Sequence, residues 1–541
     1  LWRNKIMDGN IRSRILKSGY VKEQAPYTKS ELREIFQCND DKLTHIIRQL
    51  RYKKLLKISK KDDNITDMSN MVDEVVDVRD AINDVSGYRY VFTCVGVIII
   101  GGFVLKCYPK YIDDVTEEQD LLLKVKQVLK VLEKYNKNTN ININMLSDNV
   151  GEKNFNLLEV ILFLLHDYYE NGIYINQHTI IESNGTGSIL WDRTVNQIQP
   201  IIVKNRPYYT ELLTRKRVDE EENYFRRLHE CILTECSKIF SNHGLFRLFD
   251  DLSPVEFESC DLDDFGDIDY ILYRLEREMC EQFNTRKQQL LKTMHAYIAN
   301  KKGKYESYAL SVYATITFHK IWEDVCAKVM QNKLRSTLKD LFVDNLGCLH
   351  PEYENSGNNR LIDIIDKPEW VGHSVVNYKE ETRKKAKETL EPDVVSIFSF
   401  DEKKCFAIFD AKYYKIRFSD EQVSGQPGVG DVTKQYLYNL AYKDFIEKHN
   451  FDNVWNCFLM PIDGVEFIKR GYANMKILQF FNFGNGDKNK HYKDNIDIIL
   501  MPASTMYDWY LSNKKLDDEF LSVIRLINSG EYGNSHKVTI R

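Results

Sequence analysis

Two apolar segments separated by four charged residues limit the folds that this chain can adopt. Residues 394–400 and 405–411 are rich in β-branched and aromatic side chains, and residues 401–404 are all charged. This pattern predicts a buried β-hairpin. With residues 401–404 as the turn, Asp393 lies opposite Lys412, and Asp410 shares a sheet face with Lys412 because side chains alternate along a strand. The pattern therefore predicts that Asp393, Asp410 and Lys412 converge at one end of the hairpin.

Two carboxylates beside an ammonium group suit metal-assisted hydrolysis of a phosphodiester. Carboxylate oxygens bind Mg²⁺, with Mn²⁺ as an alternative, and a bound divalent cation acidifies water and offsets developing negative charge. We therefore predict Asp393 and Asp410 as metal ligands and Lys412 as the catalytic cation that orients water or offsets phosphate charge. A surface hairpin with ordinary salt bridges is the alternative, since Asp-x-Lys also occurs at 40–42 and 401–403.

Charge is unevenly distributed along the 541 residues, although the formal net charge is only −5. Residues 1–61 contain 16 Lys and Arg against 6 Asp and Glu, whereas residues 62–85 contain eight acids and one arginine. A basic segment followed by an acidic one is typical of a module that binds a polyanion. A solvated basic surface is the alternative.

The basic segment has the pattern of a helix-turn-helix. Thr28 or Ser30 can cap a helix over residues 31–36, and a second helix over 41–53 has apolar residues on one face. The second helix and its end carry the predicted DNA-binding residues, which are Lys42, Arg48, Arg51, Lys53 and Lys54. With a strand at 55–59, this favours a winged-helix-like module that contacts DNA. A winged helix used for protein contacts is the alternative.

The rest of the chain alternates between strand and helix patterns. We expect an acidic connecting helix at 67–85, strands within 88–112, helices at 116–136 and 154–170, a strand pair around 180–189, helices within 208–300 and a helix at 309–342. Further strands are expected near 454–460, 476–482 and 496–501.

Pro392-Asp393 followed by Asp410-Ala411-Lys412 is similar to the PD-(D/E)xK nuclease signature. In combination with other segments in the same order, it resembles the LlaJI restriction endonuclease family, which is related to McrC nuclease subunits. Those segments are residues 90–98, 108–111, 184–191, 321–323 and 430–438.

The residue patterns and the resemblance together imply a mixed α/β, multidomain fold. The expected domains are a winged-helix-like module at 1–66, an McrC-like α+β domain at 67–205, a helical region at 206–308 and a C-terminal PD-(D/E)xK nuclease core at 309–541.

The resemblance also implies further site residues. Glu323 matches a glutamate that joins the metal site, and Gln435 matches a glutamine whose amide bonds water or a phosphate oxygen. The alternative for Glu323 is an ordinary exposed carboxylate. The alternative for Gln435 is a position on a helix face that packs on the sheet. Before the hairpin, the basic residues Arg383, Lys384 and Lys385 are predicted to contact DNA phosphates, with a solvated helix face as the alternative.

These features predict a Mg²⁺-dependent DNA endonuclease, and the resemblance implies a bacterial restriction and phage-defence role beside an McrB-like AAA+ GTPase subunit. The sequence has no GxxxxGK[ST] motif, so no nucleotide site of its own is expected. Double-strand cleavage by one catalytic set per chain implies a homodimer or larger assembly acting on double-stranded DNA.

Two rivals remain open. The chain is then either a non-cleaving DNA-binding subunit that activates the AAA+ partner, or a nuclease that acts on RNA. No apolar run reaches the ~20 residues that a membrane helix needs, and the first residues lack a signal-peptide pattern, so a cytoplasmic protein without membrane contact is expected.

Overall fold

In a computed structural model of the chain, the described residues are 15–60, 78, 87–113, 117–139, 156–175, 177–219, 224–257, 261–302, 310–342, 346–373, 381–418, 423–481, 491–492, 495–512, 516–528 and 535–536. The chain forms two compact units. The first unit comprises Leu1–Val97, Leu105–Leu146 and Ala314–Arg541, and the second comprises Ile98–Val104 and Ser147–Tyr313.

The strands of the described residues are numbered in chain order. They are β1 (Tyr20–Lys22), β2 (Pro26–Tyr27), β3 (Leu56–Lys60), β4 (Tyr88–Phe92), β5 (Val95–Ile100), β6 (Phe103–Tyr108), β7 (Gln177–Ser183), β8 (Ser188–Ile189), β9 (Ile201–Val203), β10 (Arg206–Tyr208), β11 (Leu213–Asp219), β12 (Ser311–Thr315), β13 (Glu369–His373), β14 (Glu381–Lys385), β15 (Val394–Phe400), β16 (Lys403–Ala411), β17 (Arg417–Phe418), β18 (Val423–Ser424), β19 (Asn453–Ile462), β20 (Phe467–Ala473), β21 (His491–Tyr492), β22 (Ile496–Pro502) and β23 (Ser535–His536).

The α-helices of the same residues are numbered in the same way. They are α1 (Lys29–Phe36), α2 (Asp40–Tyr52), α3 (Glu118–Thr139), α4 (Leu157–Asn171), α5 (Trp191–Gln197), α6 (Tyr224–Asn242), α7 (Ile268–Glu281), α8 (Thr285–Lys302), α9 (Phe318–Val329), α10 (Leu338–Leu341), α11 (Pro351–Glu354), α12 (Val429–Ala441), α13 (Lys443–Lys448), α14 (Ala503–Leu511) and α15 (Asp517–Asn528). None of the described helices is long and apolar enough to cross a membrane.

The two predicted helices of the basic segment are confirmed as α1 and α2. Thr28 caps α1 with a capping box, in which its hydroxyl accepts from the Glu31 N–H and the Glu31 carboxylate accepts from the Thr28 N–H. The Asn39 side chain caps α2 by accepting from the Lys42 N–H. The expected strand follows as β3, which pairs antiparallel with β4, and β2 pairs with the other edge of β4. The name winged helix stays a prediction.

The first unit contains a central sheet in the order β15-β16-β19-β22-β20-β23. Strand β16 runs antiparallel to β15 but parallel to β19, and β19 runs parallel to β22. Phe406 of β16 packs against Tyr442, which lies between α12 and α13, and against Phe445 of α13. The ring centroids of Phe406 and Tyr442 are 5.3 Å apart. This packing covers the hairpin predicted from the sequence and holds it rigidly in a core.

The second unit contains α4, α6, α7 and α8 and the sheet β7-β11-β8. Inside it, the Arg286 guanidinium donates to both oxygens of the nearly buried Asp167 carboxylate at 2.9 and 2.7 Å. The predicted pairing of the two strands around 180–189 is wrong, because β11 lies between β7 and β8 and pairs with both. The Asn184 to Gly187 segment therefore joins strands that share a neighbour, a long-range arrangement that local turn signals cannot reveal.

The predicted helix at 309–342 is wrong at both ends. Residues Ser311–Thr315 form β12, whose five side chains are all buried, and the helix α9 occupies only Phe318–Val329. The β-branched and aromatic content of this stretch favours a strand, and amphipathic helical spacing begins only at Phe318.

The predicted strand at 476–482 is also wrong. Lys476–Phe481 form a 3₁₀ helix, and the two neighbours of β22 in the sheet are instead β19 and β20. Short apolar runs do not distinguish strand from helix by periodicity, which explains the error. The predicted helix at 67–85 lies outside the described residues apart from residue 78. The other predicted strands and helices, at 88–112, 116–136, 154–170, 454–460 and 496–501, are confirmed as β4 to β6, α3, α4, β19 and β22.

Candidate active site

The hairpin β15–β16 closes through a two-residue turn rather than the predicted four-residue turn. Val394 pairs with Phe409 and Phe400 with Lys403, so Asp401 and Glu402 alone form the turn. Both turn residues are left-handed, with φ of 49° and 61°, as the tightest hairpin turns require. The register therefore continues to a pairing of Asp393 with Asp410, which corrects the predicted pairing of Asp393 with Lys412.

Asp410 and Lys412 form a tight ion pair at the end of β16. The Lys412 Nζ lies 2.8 Å from Asp410 Oδ2 and 3.0 Å from Asp431 Oδ1, and Asp410 is almost fully buried. These two carboxylates raise the pKa of Lys412 against the opposing effect of burial, so the side chain is a fixed cation. The predicted convergence of Asp410 and Lys412 is present, although the register differs.

Asp431 belongs to this cluster, and sequence reasoning did not assign it a role. It lies in the first turn of α12, where its Oδ2 also accepts from the Gly428 N–H at 3.2 Å. An acid in the first turn of a helix is a common sequence signal that favours the positive helix end. Only the fold shows that its other oxygen reaches Lys412.

Asp393 joins the cluster from the start of β15. Its Oδ2 accepts from the Ala411 N–H at 2.9 Å, and the Asn332 amide donates to its backbone carbonyl at 3.0 Å. Burial and, after it, the neighbouring carboxylate of Asp410 together raise the pKa of Asp393 to about 8. Two carboxylates held this close resist ionising together, and a cation between them would relieve the repulsion.

Glu323 reaches the same cluster from α9. The buried Trp322 indole donates to the Leu459 carbonyl at 3.0 Å, and the Lys412 N–H donates to that same carbonyl at 2.9 Å. This shared acceptor fixes α9 against the end of β16. Burial raises the pKa of Glu323, Lys412 opposes that rise, and Asp410 adds to it, so the charges of the cluster act on one another.

Gln435 lies on α12 and packs against the neighbouring strand β19. Its side chain is fully buried, and its amide donates to the Cys457 carbonyl at 3.2 Å. Within the part of the chain that the structure describes, its Oε1 accepts no hydrogen bond. The structure thus places Gln435 against the sheet, which is the packing alternative, and its contact with water or phosphate stays a prediction.

The predicted DNA-binding residues lie in two places. Lys42 and Arg48 are exposed on α2, Arg51 and Lys53 are half-buried, and Lys54 is exposed just beyond the helix. The second group consists of Arg383, Lys384 and Lys385, which lie on the exposed strand β14. The helix face given as the alternative for these residues is therefore wrong.

Strand β14 pairs antiparallel with the exposed strand β13. Arg383 is partly neutralised there, since it pairs with Glu381 at 3.0 Å and with Glu369 at 3.6 Å.

The cluster fits a hard divalent cation by its donor chemistry. Asp393, Asp410 and Glu323 offer carboxylate oxygens, which Mg²⁺ and Mn²⁺ prefer to sulfur ligands. A cleft of about 500 Å³ is lined by Glu323 and Lys412 and gives them access to a substrate. The cluster therefore offers carboxylate oxygens and one ammonium group beside a cleft.

The sequence profile of the LlaJI restriction endonuclease family matches residues 94–342 and 353–500. This chain belongs to that family. The family match confirms the resemblance found in the sequence segments, and the two LlaJI-matched stretches contain Glu323, Asp393, Asp410, Lys412 and Asp431. The mixed α/β, multidomain fold expected of the chain is likewise confirmed.

Among curated proteins, this LlaJI family member is similar to the type II restriction enzyme BsuMI component YdjA of Bacillus subtilis (strain 168). The two are 28% identical over 480 residues, which cover 83% of this chain and 90% of the relative.

Two solved structures from Thermococcus gammatolerans also align with this LlaJI family member. A half-complex of McrB AAA+ hexamers with bound McrC matches with a TM-score of 0.34 and 12% identity, covering 94% of this chain and 99% of the other. A chain of the McrBC complex matches with a TM-score of 0.23 and 12% identity, covering 58% and 87%.

Proposed function

We propose that this protein is the nuclease of a bacterial restriction system and hydrolyses DNA phosphodiester bonds with Mg²⁺. The observation that supports the proposal is the cluster of Asp393, Asp410, Glu323 and Lys412 beside an open cleft, in a member of the LlaJI restriction endonuclease family. We infer that β15, β16 and the flanking helices form a PD-(D/E)xK core, with DNA phosphates as the substrate.

The three carboxylates would hold the cation, which when bound acidifies a water and offsets charge on the phosphate. Lys412 stays protonated because Asp410 and Asp431 stabilise its charge, so it orients the attacking water or donates to a phosphate oxygen. Asp431 positions Lys412 and does not touch the substrate. The Ala411 N–H donates to Oδ2 of Asp393 and so fixes this carboxylate. The other oxygen, Oδ1, is not used in that hydrogen bond.

Partners follow from the family resemblance. We propose that an McrB-like AAA+ GTPase works with this chain, which has no nucleotide-binding loop of its own, and that two or more copies supply the two cuts of a double-strand break. The name of the relative YdjA describes it as a component, which agrees with action inside an assembly.

The alternative is a non-cleaving subunit that binds DNA and activates the AAA+ partner. The geometry favours the nuclease over this alternative, because Asp393 lies opposite Asp410 at the end of the hairpin and Lys412 Nζ lies 2.8 Å from Asp410. Crowded charges of this kind are typical of functional sites.

Cleavage of unmethylated and methylated phage DNA tests the proposal. We expect the purified chain, alone or with its AAA+ partner and GTP, to cut with Mg²⁺ and not with EDTA. Asp410→Asn and Lys412→Ala should each reduce cleavage by at least about 100-fold, because each removes part of the charge cluster.

Lys403→Ala is the matched control, since Lys403 is an exposed lysine at the other end of the same hairpin. Full cleavage by Asp410→Asn would overturn the site assignment. Retention of DNA without cleavage by the unaltered chain, with GTP hydrolysis stimulated equally by Lys412→Ala, would favour the non-cleaving alternative.

A further inference from the structure

The cleft beside the carboxylate cluster has walls from distant parts of the chain. Lys54 and Lys57 come from the end of α2 and from β3, and Lys110 follows β6. Together with Glu323 and Lys412 they line a single space, and all of these residues belong to the first unit. The basic N-terminal segment is therefore part of the wall of the candidate active site.

The backbone of Lys54 is held firmly at the rim of the cleft. Its φ of 58° is left-handed, its N–H donates to the Arg51 carbonyl at 2.8 Å, and its carbonyl accepts from the Thr93 hydroxyl at 2.6 Å. The Lys54 side chain is exposed, and among the described residues it forms no ion pair with a carboxylate. Nearby Lys57 is fixed by the pairing of β3 with β4, where it lies opposite Val91.

Lys110 is held in place by a side-chain amide oxygen and by two aromatic rings. Its Nζ donates to Gln24 Oε1 at 2.9 Å and lies 4.8 Å from the ring centroid of Tyr413 and 5.6 Å from that of Tyr414. Its backbone N–H donates to Glu23 at 3.2 Å, and the Tyr413 hydroxyl donates to the same carboxylate at 2.6 Å. Tyr413 directly follows Lys412, so this network ties Lys110 to the end of the catalytic strand.

The charge and size of the cleft identify its occupant. Four lysines line it against two glutamates, and one of those, Glu23, is buried behind Tyr413. A volume of about 500 Å³ is in the range of pockets for a single small ligand, so the cleft has room for a short stretch of one strand. The negatively charged sugar-phosphate backbone of a nucleic-acid strand matches a cleft that is rich in lysines and lies next to the proposed phosphodiester-cutting cluster.

We propose that Lys54, Lys57 and Lys110 bind the phosphates on either side of the scissile one, on the strand being cut. This proposal rests on the proposed nuclease function and names the residues that hold its substrate. It also gives the basic segment a second role, because Lys42 and Arg48 on α2 do not line the cleft. Phosphate binding at the cleft is thus separable from DNA contact through the exposed face of α2.

Binding of a short, fluorescently labelled DNA strand to the full chain tests the proposal. Ca²⁺ replaces Mg²⁺ so that the carboxylates are occupied while affinity is measured over a range of salt concentrations. Each of Lys54→Gln, Lys57→Gln and Lys110→Gln should reduce the slope of log affinity against log salt by about 0.7, which is about a fivefold loss near 0.1 M salt. Lys403→Gln is the matched control, because Lys403 is exposed at the turn end of the β15–β16 hairpin and does not line the cleft. This variant should bind the strand like the unaltered chain.

Rescue and folding are checked in parallel. Lys57→Arg should restore the salt slope, because it keeps the positive charge, and each variant should unfold at the same temperature as the unaltered chain. Unchanged binding by all three cleft variants would overturn the proposal, as would an equal loss in Lys403→Gln or no binding by the unaltered chain.

The two proposals fail in different ways. If Asp410→Asn still cuts DNA with Mg²⁺, the nuclease assignment fails whatever the lysine variants bind. If Asp410→Asn is inactive while the three cleft variants bind the strand normally, only the assignment of the phosphate-binding lysines fails.

Discussion

Asp431 and Gln435 show what single residues reveal from sequence and what they do not. The pair Asp410 and Lys412 was predictable, because an apolar strand that ends in Asp-x-Lys is a local pattern. Asp431 was not, since its contact with Lys412 depends on how α12 is placed against β16. Gln435, four residues later, is fully buried against the carbonyl of Cys457, a position that only packing decides.

His229 makes the stability of the second unit depend on pH. Burial lowers the pKa of His229 to about 4, below its ordinary value of 6.5, and its Nδ1 accepts from the Tyr174 N–H at 3.1 Å. Above pH 6.5 the ring is neutral in both states. Between pH 6.5 and about 4 only the unfolded chain binds the proton, so we expect the free energy of unfolding to fall by up to about 1.4 kcal/mol per pH unit.

Hydrogen exchange of the second unit at pH 7 and pH 5 measures this effect. His229→Gln is the comparison, because its side-chain oxygen can still accept from Tyr174 but does not titrate. The variant should show a shallower loss of protection between the two pH values. An identical loss in both proteins would assign the pH dependence to other groups.

The turn of the β15–β16 hairpin contains two residues where four were predicted, and both have positive φ. Glu402 has a φ of 61°, which is unfavourable for a residue with a side chain by about 1–2 kcal/mol. We expect Glu402→Gly to raise the free energy of unfolding of the first unit by about 0.5–1 kcal/mol after the greater freedom of glycine in the unfolded chain is included. Urea unfolding measures the difference.

Glu402→Ala separates this cause from the loss of the charge. It keeps the left-handed strain and should give no gain in stability. Equal stability of the glycine and alanine variants would show that backbone strain at the turn is not the cause.

Elements with strong periodicity were predictable, and those decided by burial were not. Helices α1, α2, α3 and α4 lie close to the predicted positions because their apolar spacing is regular. The strand β12 was mistaken for a helix, since five buried residues in a row have no alternation to read. The two-residue turn was not predicted, because a run of four charged residues does not show which of them adopt positive φ.

The organisation of the whole molecule was the hardest to predict. The chain leaves the first unit at residues 98 and 147 and returns to it at residues 105 and 314, so neither unit is continuous in sequence. Composition marks a boundary only where a linker is long or polar. Where the chain passes from one unit to the other inside β5 or β6, the composition of the sequence does not change.

The two units should respond separately to a mutation in one core. Lys469 on β20 and Asp497 on β22 form a buried ion pair of 2.9 Å, and Lys469 also donates to the Ile527 carbonyl at 3.0 Å. Asp497→Ala leaves a buried ammonium group without its carboxylate and should lower the stability of the first unit by about 3–5 kcal/mol. Hydrogen exchange should show lost protection in the first unit and unchanged protection in the second.

Asp444→Ala is the control for that measurement. It breaks an exposed ion pair with Lys448 in the same unit, where water compensates for the lost partner, so its effect should be much smaller. Comparable losses in the two variants would show that the buried pair has no special role.

The cleft whose walls combine Lys54, Lys57 and Lys110 with Lys412 also bears on how the protein is made. A ribosome releases the chain from its first residue onward, so the three lysines emerge long before β15, β16 and the Asp410 carboxylate. Until β16 is made, an unfinished chain contains the three lysines but lacks the Asp410 carboxylate. The proposed nuclease therefore becomes competent only late in translation, after the residues that would hold its substrate.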